Sequence, residues 1–434
     1  MPKTGSILYL ALRPFLRQGA KTFVRRHEIT GLENFPKNKP VLLISNHQNA
    51  MLDPVLICFF SPKQLHWLTR ADIFKNGLIK KLLHNFNMMP VYRERDGVGN
   101  MRDANTKIFE ECYDRLEYHA VVSMFPEGTH RGKKQLIPFK KGLGRLAFGA
   151  LESKPNMHDL VILPVGLDYS DFYEYHPELL IKFGKPIDVE KWRSVYKVDS
   201  AKAIAELMEE ARKALSDLMI DVQKEELYDA IIQSRELCFE LSVSRKLSEQ
   251  FDFYQKFIKA FESDSRREEM SAKIIELNSI CKENGFTTAS LSASKPKANL
   301  MALVLGFLTP IYLLGRILFL PIEKPIDIFI KNKIKDPLFK NSLRMALWTF
   351  LVPIYLGIIS IPIKLFTQCS WMEWCIGLLG VLLAGRIAIG WLRAYRKFQS
   401  TNRWLSFQSK NSEKKKSLES LKKECSDYIL SISK

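Results

Sequence analysis

The chain has 434 residues, about three times the usual domain length of roughly 150, so the sequence predicts two or three structural units. Hydrophobic residues make up 46% and aromatic residues 11%, which excludes a disordered, collagen-like or low-complexity chain. The 65 Lys and Arg against 47 Asp and Glu give a net charge of +18, so anionic partners are expected: nucleic acid, phosphorylated metabolites or an acidic membrane leaflet. Seven scattered cysteines, without a C-x-x-C pair or a Cys/His cluster, predict free thiols and no metal site.

Residues 1–39 are predicted to form an amphipathic membrane-interface segment, because a short apolar patch lies between basic residues and no cleavage site follows it. Between Pro40 and Val189 short apolar runs alternate with amphipathic stretches. This pattern is typical of an α/β domain with a mixed, largely parallel sheet flanked by helices. A helix is predicted from about Asp103 to Tyr118. The predicted strands are Val41–Ser45, Leu65–Thr69, Met88–Tyr92, Val121–Phe125, Val161–Gly166 and Leu179–Phe183.

The second half of the chain divides into a charged part and an apolar part. From Ser200 to about Asn284 apolar residues recur at helical spacing among many charges, which predicts a polar helical subdomain. After a linker, three stretches approach the length that crosses a bilayer: Ala298–Gly315, Met345–Ile363 and Trp374–Leu392. The predicted divisions are the interface segment (1–39), the α/β domain (40–199), the polar subdomain with its linker (200–297), membrane-embedded hairpins (298–395) and a basic cytoplasmic tail (396–434).

Lysines predict the orientation in the membrane. The loop Glu323–Ser342 carries five lysines and the tail from Arg393 is also basic, so both are expected on the cytoplasmic side together with the α/β domain. A single crossing by Ala298–Ile322 would separate that loop from the α/β domain. The sequence therefore predicts that this stretch dips into the membrane and returns around Pro310, with one true hairpin at about 343–392.

His47 is the histidine with a carboxylate at a useful spacing. It follows the strand Val41–Ser45, at the strand end where open α/β sheets bind their ligands. Six residues of ideal helix would turn Asp53 about 240° away from His47, so a loop must separate them if they are to meet. The pair fits a dyad in which Asp53 fixes the imidazole and His47 removes a proton from a hydroxyl. It also fits a helix-capping aspartate beside a loop histidine.

A second polar cluster follows the strand Val121–Phe125. Glycine and threonine permit a close backbone approach and the cations supply charge, so the cluster predicts a phosphate cradle, with a solvated basic turn as the alternative. Arg93 and Arg95 occupy the equivalent end of another strand. The residues of this second cluster are Glu127, Gly128, Thr129, His130, Arg131, Lys133 and Lys134.

Other chemistries lack their motifs in this sequence. Gly142-x-Gly144-x-x-Ala147 formally matches a dinucleotide fingerprint, but Lys140-Lys141 precedes it instead of a buried strand. No phosphate-binding loop of the G-x-x-x-x-G-K-[ST] type and no G-x-S-x-G serine motif is present. No nucleic-acid-binding module is recognisable, and a membrane leaflet explains the positive charge equally well.

Four blocks in order resemble the glycerolipid acyltransferases, which esterify phosphorylated glycerol acceptors with acyl-CoA or acyl-carrier-protein thioesters. The resemblance covers roughly Pro40–Val189. It implies that His47 and Asp53 are the catalytic dyad, and that Arg93 and the third block bind the acceptor. The blocks are Asn46-His47 with Asp53, Met89–Arg93, Phe125–Thr129 and Val161–Gly166.

Two departures from the family pattern matter. Five residues instead of four separate His47 from Asp53, which is similar to the subgroup that includes fungal acyltransferases with C-terminal membrane segments, acting on glycerol 3-phosphate or dihydroxyacetone phosphate. His130 stands where the third block commonly has arginine. The phosphate ligand therefore stays open among Arg131, Lys133 and Lys134.

The resemblance implies a membrane-bound O-acyltransferase of phospholipid synthesis. It would move a fatty acyl group from an acyl thioester to glycerol 3-phosphate or 1-acylglycerol 3-phosphate, with no metal, no resident cofactor and no nucleic-acid partner. The protein would be integral to the membrane, with its catalytic domain facing the cytoplasm. Backbone N–H groups near the dyad are expected to stabilise the oxyanion. The alternative is a catalytically inactive lipid-binding scaffold with the same fold.

Overall fold

The computed structural model describes residues 6–93, 100–154 and 157–433, and the chain separates into two compact units. The first unit contains Met1–Asp221 together with Ile334–Thr349. The second contains Val222–Lys333 and Phe350–Lys434. The predicted boundary between residues 199 and 200 lies inside the first unit, and so does the predicted interface segment.

Within the described residues, an eight-stranded sheet forms the centre of the first unit. Its strands are β1 Arg26–Thr30, β2 Val41–Ser45, β3 Leu65–Arg70, β4 Met88–Val91, β5 Val121–Met124, β6 Val161–Tyr169, β7 Glu178–Phe183 and β8 Ile187–Asp188. They are ordered β1-β7-β6-β2-β5-β3-β4, and β8 pairs with β6. The pairs β2–β5, β2–β6, β3–β5 and β3–β4 are parallel, whereas β6 pairs antiparallel with β7 and β8. The predicted mixed, largely parallel sheet is confirmed.

Helices flank this sheet and form its two cores. They are α1 Ile7–Phe23, α2 Leu52–Phe60, α3 Gly77–Asn85, α4 Met101–Glu117, α5 Gly142–Ser153, α6 Arg193–Val198 and α7 Ser200–Ser216. One core contains Phe23 of α1 and Leu56 of α2, and the other contains Leu116 of α4, Leu146 of α5 and Leu207 of α7. Burying each of these side chains contributes about 1.5–3 kcal/mol. The apolar face of α7 therefore attaches residues 200–216 to the α/β domain.

A segment from far along the chain completes the first unit. It includes the start of α12 (Pro337–Thr367), whose Leu338 and Met345 belong to the core that α1 and α2 share. The side-chain amide of Asn341 donates to the backbone oxygens of Phe172 and Glu174, at 3.2 and 3.1 Å. The predicted loop Glu323–Ser342 is corrected, because only residues 334–336 are non-helical.

The second unit is helical. Its elements are α8 Tyr228–Leu241, α9 Leu247–Ser263, α10 Arg267–Glu283, α11 Lys295–Lys333, the later part of α12, α13 Trp371–Lys410 and α14 Ser412–Ile432. Tyr254, Phe257 and Phe261 bury one face of α9, and Tyr428 of α14 packs edge-on against Phe261. The predicted helices between residues 200 and 284 are confirmed. All seven cysteines are free thiols.

Three helices among the described residues, α11, α12 and α13, are long and apolar enough to cross a membrane. The predicted return around Pro310 is wrong, because α11 continues through Pro310 as one helix of 39 residues. The residues of the predicted hairpin lie in α12 and α13, which residues 368–370 join, and the membrane hairpin itself stays a prediction. The proline costs one backbone hydrogen bond within a helix but does not force a reversal of the chain.

Candidate active site

The carboxyl ends of three neighbouring parallel strands bring most of the predicted site residues together. His47 follows β2, Glu127 follows β5, and Tyr169 ends β6; β2 lies between β5 and β6 in the sheet. Arg93 follows β4, which is three strand positions from β2 at the edge of the sheet. The site therefore forms where an open α/β sheet is expected to bind its ligand.

His47 and Asp53 are in contact. His47 Nδ1 lies 3.0 Å from Asp53 Oδ2. Residues 46–50, which lie between the end of β2 and α2, are not helical. The unwound stretch that the dyad requires is therefore present. Asp53 makes no cap of α2, since the N-cap position is Met51 and the Asp53 carboxylate turns back toward the loop.

Donors surround the Asp53 carboxylate. Oδ2 also accepts hydrogen bonds from the backbone N–H groups of Gln48 and Asn49, both at 2.8 Å, and Oδ1 accepts one from the Tyr169 hydroxyl at 2.8 Å. These bonds offset the cost of burying a side chain that has no exposed surface. Because Oδ2 is an acceptor, the contact assigns the proton to His47 Nδ1. The lone pair on Nε2 is left to act as a base.

Aromatic rings fix the plane of the imidazole. The ring of Phe125 stacks on His47, with centroids 3.9 Å apart and planes 7° from parallel. Trp67 stacks on the same phenyl ring at 4.7 Å, and its indole N–H donates to Cys58 Sγ at 2.8 Å. The base is thus held by a carboxylate at one edge and by a ring across one face.

Glu127 braces the backbone of this loop. Its Oε1 accepts from the His47 backbone N–H at 2.8 Å and its Oε2 from the Ile137 N–H at 3.2 Å. Burial raises the pKa of Glu127 to about 8, while the two backbone hydrogen bonds act in the opposite direction. The predicted role in acceptor binding is corrected, because both carboxylate oxygens of this buried side chain are used inside the protein.

Lys134 is also used inside the protein. Its ammonium group pairs with the Asp168 carboxylate and donates to the Tyr169 backbone oxygen at 2.6 Å. Both side chains of the ion pair are buried, and a buried cation requires such a partner. Lys134 is therefore corrected from a phosphate ligand to a structural residue at the end of β6.

The other predicted phosphate ligands lie toward solvent. Gly128, Thr129 and Arg131 are exposed, and Lys133 is half-buried. Gly128 has a φ of +70°, a conformation that favours glycine. The Arg131 backbone N–H donates to the His47 carbonyl at 3.2 Å, which attaches this turn to the dyad loop. All four stay predictions as acceptor ligands.

Arg93 lies at the same edge of the sheet but forms an ion pair of its own. Its guanidinium is 3.6 Å from Asp72 Oδ1, and its side chain is partly exposed. Contacts within the described residues do not join it to His47. Arg95 lies outside the described residues.

His130 and Asp336 form a second imidazole–carboxylate pair that sequence reasoning missed. The His130 ring packs edge-on against His47 with centroids 5.3 Å apart, and its Nε2 lies 3.2 Å from Asp336 Oδ2. Phe339 packs edge-on against His130 at 5.6 Å. Asp336 is 206 positions from His130, and no signal in the sequence marks it as a partner. Tyr169 was missed as well, because the predicted strand ended at Gly166.

The N–H groups nearest the dyad are already engaged. Those of His47, Gln48 and Asn49 point to the carboxylates of Glu127 and Asp53. The expected oxyanion donors are therefore not these three groups. The described residues include no group of three or more His, Cys, Asp or Glu arranged to hold a metal ion.

The chain is similar to known acyltransferases. Residues 26–168 match the Acyltransferase family model, from the first residue of β1 to the penultimate residue of β6. These residues form an acyltransferase domain. His47, Asp53 and Glu127 all lie within it, whereas Tyr169 follows its last matched residue directly.

The acyltransferase domain has relatives among glycerolipid enzymes. The chain is 23% identical over 356 residues to glycerol-3-phosphate O-acyltransferase 2 of Saccharomyces cerevisiae, covering 74% of this chain and 48% of that protein. It is 26% identical over 163 residues to 1-acyl-sn-glycerol-3-phosphate acyltransferase alpha of Mus musculus, covering 37% of this chain and 52% of that protein. The chain thus spans about half the length of these relatives.

A solved structure was also matched. The 1-acyl-sn-glycerophosphate acyltransferase of Thermotoga maritima aligns with a TM-score of 0.35 and 17% identity, covering 47% of this chain and 78% of that one.

Proposed function

We propose that this protein is a membrane-bound O-acyltransferase that moves a fatty acyl group from an acyl thioester to a hydroxyl of a phosphorylated glycerol. Glycerol 3-phosphate and 1-acylglycerol 3-phosphate are the two candidate acceptors. The observation that carries the proposal is the contact between His47 and Asp53 inside the acyltransferase domain. The names of the yeast and mouse relatives support the acceptor class.

The contacts of His47 support the role of general base for this residue. Nε2 takes the proton from the acceptor hydroxyl while the hydroxyl oxygen attacks the thioester carbonyl, and the Asp53 carboxylate stabilises the imidazolium that forms. Collapse of the tetrahedral intermediate breaks the carbon–sulfur bond, and the leaving thiolate takes the proton from His47. General-base assistance of this kind contributes about 10²–10⁴ in rate. The thioester is that of coenzyme A or of an acyl-carrier protein.

The exposed turn after β5 is suited to the acceptor phosphate. Arg131 and Lys133 supply positive charge, and Gly128 and Thr129 permit a close approach of the backbone. The hydrogen bond from Arg131 N–H to the His47 carbonyl keeps this turn next to the base. A phosphate bound here would restrict which hydroxyl reaches Nε2.

The three apolar helices support an integral membrane protein, and the lysines at their ends support a catalytic unit on the cytoplasmic side. Glycerol 3-phosphate and the donor head group are water-soluble, whereas 1-acylglycerol 3-phosphate and the product of either acceptor carry at least one acyl chain. A catalytic site on a membrane-anchored unit would deliver that product to the adjacent leaflet.

The test is acyl transfer by membranes that contain the full chain. Each acceptor is supplied in turn with a labelled long-chain acyl-CoA, and the acylated phospholipid product is measured. We expect turnover with at least one acceptor and a loss of about 10²–10⁴-fold in the His47→Ala variant. The matched control is His158→Ala, since the His158 side chain is largely exposed and lies outside the site.

Two outcomes would contradict the proposal. Undiminished turnover in the His47→Ala variant would remove the dyad from the mechanism. No turnover with either acceptor, from both acyl-CoA and acyl-carrier-protein donors, would favour the lipid-binding scaffold.

A further inference from the structure

Helix α3 of the first unit buries none of its side chains, although four of its nine residues are leucine or isoleucine. Leu78 is 80% exposed, Ile79 46% and Leu82 48%. Nine residues are too few for a helix to be stable alone in water, so a helix of this length depends on the packing of its apolar face. The exposed apolar side chains of α3 therefore need a partner that the first unit does not supply.

The apolar and basic side chains of α3 lie on different sides of the helix. At 3.6 residues per turn, Leu78, Ile79 and Leu82 fall within an arc of about 100°. Lys81 lies about 60° from Leu78, beyond one edge of that arc, and Lys80 lies about 200° from Leu78, on the opposite side. A helix with an apolar face and lysines on its polar face is typical of segments that lie in the plane of a membrane interface.

The start of α1 continues this apolar surface. Tyr9 of α1 packs edge-on against Phe86, the C-cap residue of α3, with ring centroids 6.3 Å apart. On either side of Tyr9 in the sequence, Ile7 is 82% exposed and Leu10 is 53% exposed. An exposed apolar surface to which two elements contribute marks a contact with another protein or with lipid.

Charge favours membrane lipid as the occupant of this surface. Between Ile73 and Arg93 the sequence has lysines at 75, 80 and 81 and no acidic residue. An anionic leaflet attracts a lysine near its surface by about 1 kcal/mol. Three helices among the described residues are long and apolar enough to cross a membrane, so a bilayer is an apolar partner within reach of this chain.

The backbone of α3 is also suited to an environment with little water. The side chain of Asn76 accepts hydrogen bonds from the N–H groups of Leu78 and Ile79, at 2.9 and 3.3 Å. At the other end, the Phe86 N–H donates to the Leu82 carbonyl at 3.0 Å. Backbone groups near lipid need partners of this kind, because unpaired N–H and C=O groups are costly there.

The position of α3 in the fold connects its surface with the β4 edge of the sheet. α3 follows the carboxyl end of β3 and leads into β4. Asp72, which lies between β3 and α3, pairs with Arg93, which follows β4. Lipid against α3 would therefore meet the first unit at the sheet edge that carries Arg93.

We propose that α3 is an interfacial helix, with the side chains of Leu78, Ile79 and Leu82 in the outer part of one leaflet. Lys81 lies among the anionic head groups and Lys80 faces water. The start of α1 enters the same leaflet beside it. The proposal rests on the membrane location proposed above and not on the acyl-transfer chemistry.

Fluorescence quenching of the full chain in lipid vesicles tests this placement. Cys369 and Cys375 are replaced by serine, because they are the two cysteines that are not buried. A single cysteine is then introduced at an exposed position and labelled with an environment-sensitive fluorophore. The four variants are Leu78→Cys, Lys80→Cys, Val198→Cys and Leu379→Cys. Each is treated with iodide, which stays in the water, and separately with a phospholipid that carries a nitroxide near the glycerol end of an acyl chain.

Three of these positions serve as references. Lys80 is the matched control on the polar side of the same helix. Val198 is 90% exposed in the first unit and reports water, and Leu379 is 66% exposed on the apolar helix α13 and reports lipid. We expect the probe at 78 to behave as the probe at 379, with emission at shorter wavelength, quenching by the nitroxide lipid and protection from iodide. The probes at 80 and 198 should be quenched by iodide.

Several results would overturn the proposal. Equal iodide quenching of the probes at 78 and 198 would show that α3 faces water. Protection of the probe at 78 from iodide without quenching by the nitroxide lipid would show that protein covers the helix. If the probe at 379 is quenched by the lipid and the probe at 78 is not, the placement of α3 fails while the membrane location stands. If neither is quenched by the lipid, both fail.

Discussion

The Asp53→Asn substitution separates the charge of the dyad from its geometry, because the surrounding contacts dictate how the new amide must lie. Three donors, His47 Nδ1 and the N–H groups of Gln48 and Asn49, converge on Oδ2. An NH₂ group there would face three hydrogens, so the amide oxygen must take that position. The NH₂ group then lies at the Oδ1 position and donates to the Tyr169 hydroxyl oxygen. The orientation and tautomer of His47 are preserved.

The expected loss follows from the difference between a charged and a neutral acceptor. A hydrogen bond to a charged group contributes about 1.5–3 kcal/mol and one between neutral groups about 0.5–1.5 kcal/mol, so the imidazolium loses about 1–2 kcal/mol of stabilisation. This corresponds to a turnover about 5- to 30-fold lower. Asp53→Ala instead removes all of the contacts and leaves the Gln48 and Asn49 N–H groups without an acceptor, at about 1–3 kcal/mol each.

The assay compares initial rates of acyl transfer for the wild type, Asp53→Asn, Asp53→Ala and His47→Ala in membranes with matched protein content. A thermal unfolding curve for each variant checks the fold, and Asp53→Ala alone should show a clearly lower midpoint. Asp53→Asn should be intermediate in rate. A rate as low as that of His47→Ala would refute the orientation argued for the amide, and a wild-type rate would show that the carboxylate charge does not assist the base.

Four further substitutions test other parts of the site. Lys134→Met should destabilise the first unit by about 3–5 kcal/mol, because it removes the cation that neutralises the buried Asp168 carboxylate. The control is Lys154→Met, which breaks exposed ion pairs. A thermal midpoint of Lys134→Met no lower than that of the control would contradict the prediction. His130→Ala and Asp336→Asn should each lower turnover, because the two side chains are in contact. If His130 and Asp336 act as a unit, the double variant should be no slower than the slower of the two single variants. Additive losses would indicate separate roles. The pKa of Glu127 is raised from 4.5 to about 8, so the native state binds more protons than the unfolded state between these pH values. The unfolding free energy should therefore fall as pH rises from 4.5 to about 8, and Glu127→Gln should remove this part of the fall. Denaturant titrations at several pH values measure it, and an unchanged pH dependence in Glu127→Gln would contradict the prediction.

The strands could be predicted because most of them are buried on both faces. Every residue of Val41–Ser45 is buried, and such strands appear in the sequence as continuous apolar runs. Arg26–Thr30 was missed because this edge strand is half-buried throughout and includes charged residues. Its place in the sheet depends on parallel pairing with Glu178–Phe183, a contact that local sequence does not encode.

The dyad could be predicted because His47 and Asp53 are close in sequence and lie after a clear strand. The roles of Glu127 and Lys134 could not, because residue type indicates charge but not which atoms the charge faces. Glu127 binds the His47 backbone across 80 positions, and Lys134 turns inward while Arg131 remains exposed on the same turn. The contact of Asp336 with His130 depends on the packing of the start of α12 onto the α/β domain, and no sequence motif predicts this packing.

The stack of Phe125 on His47 also has a consequence for regiochemistry. An imidazole accepts a proton through the lone pair in its own plane, and this plane lies parallel to the phenyl ring 3.9 Å away. An incoming hydroxyl must therefore approach Nε2 at the edge of the imidazole ring, in a plane that lies 3.9 Å from the phenyl ring. Under the proposed function, a hydroxyl of the glycerol acceptor reaches Nε2 only if it lies in the plane of the imidazole. The phenyl ring of Phe125 would thus help to select which hydroxyl reacts, although it takes no part in bond making.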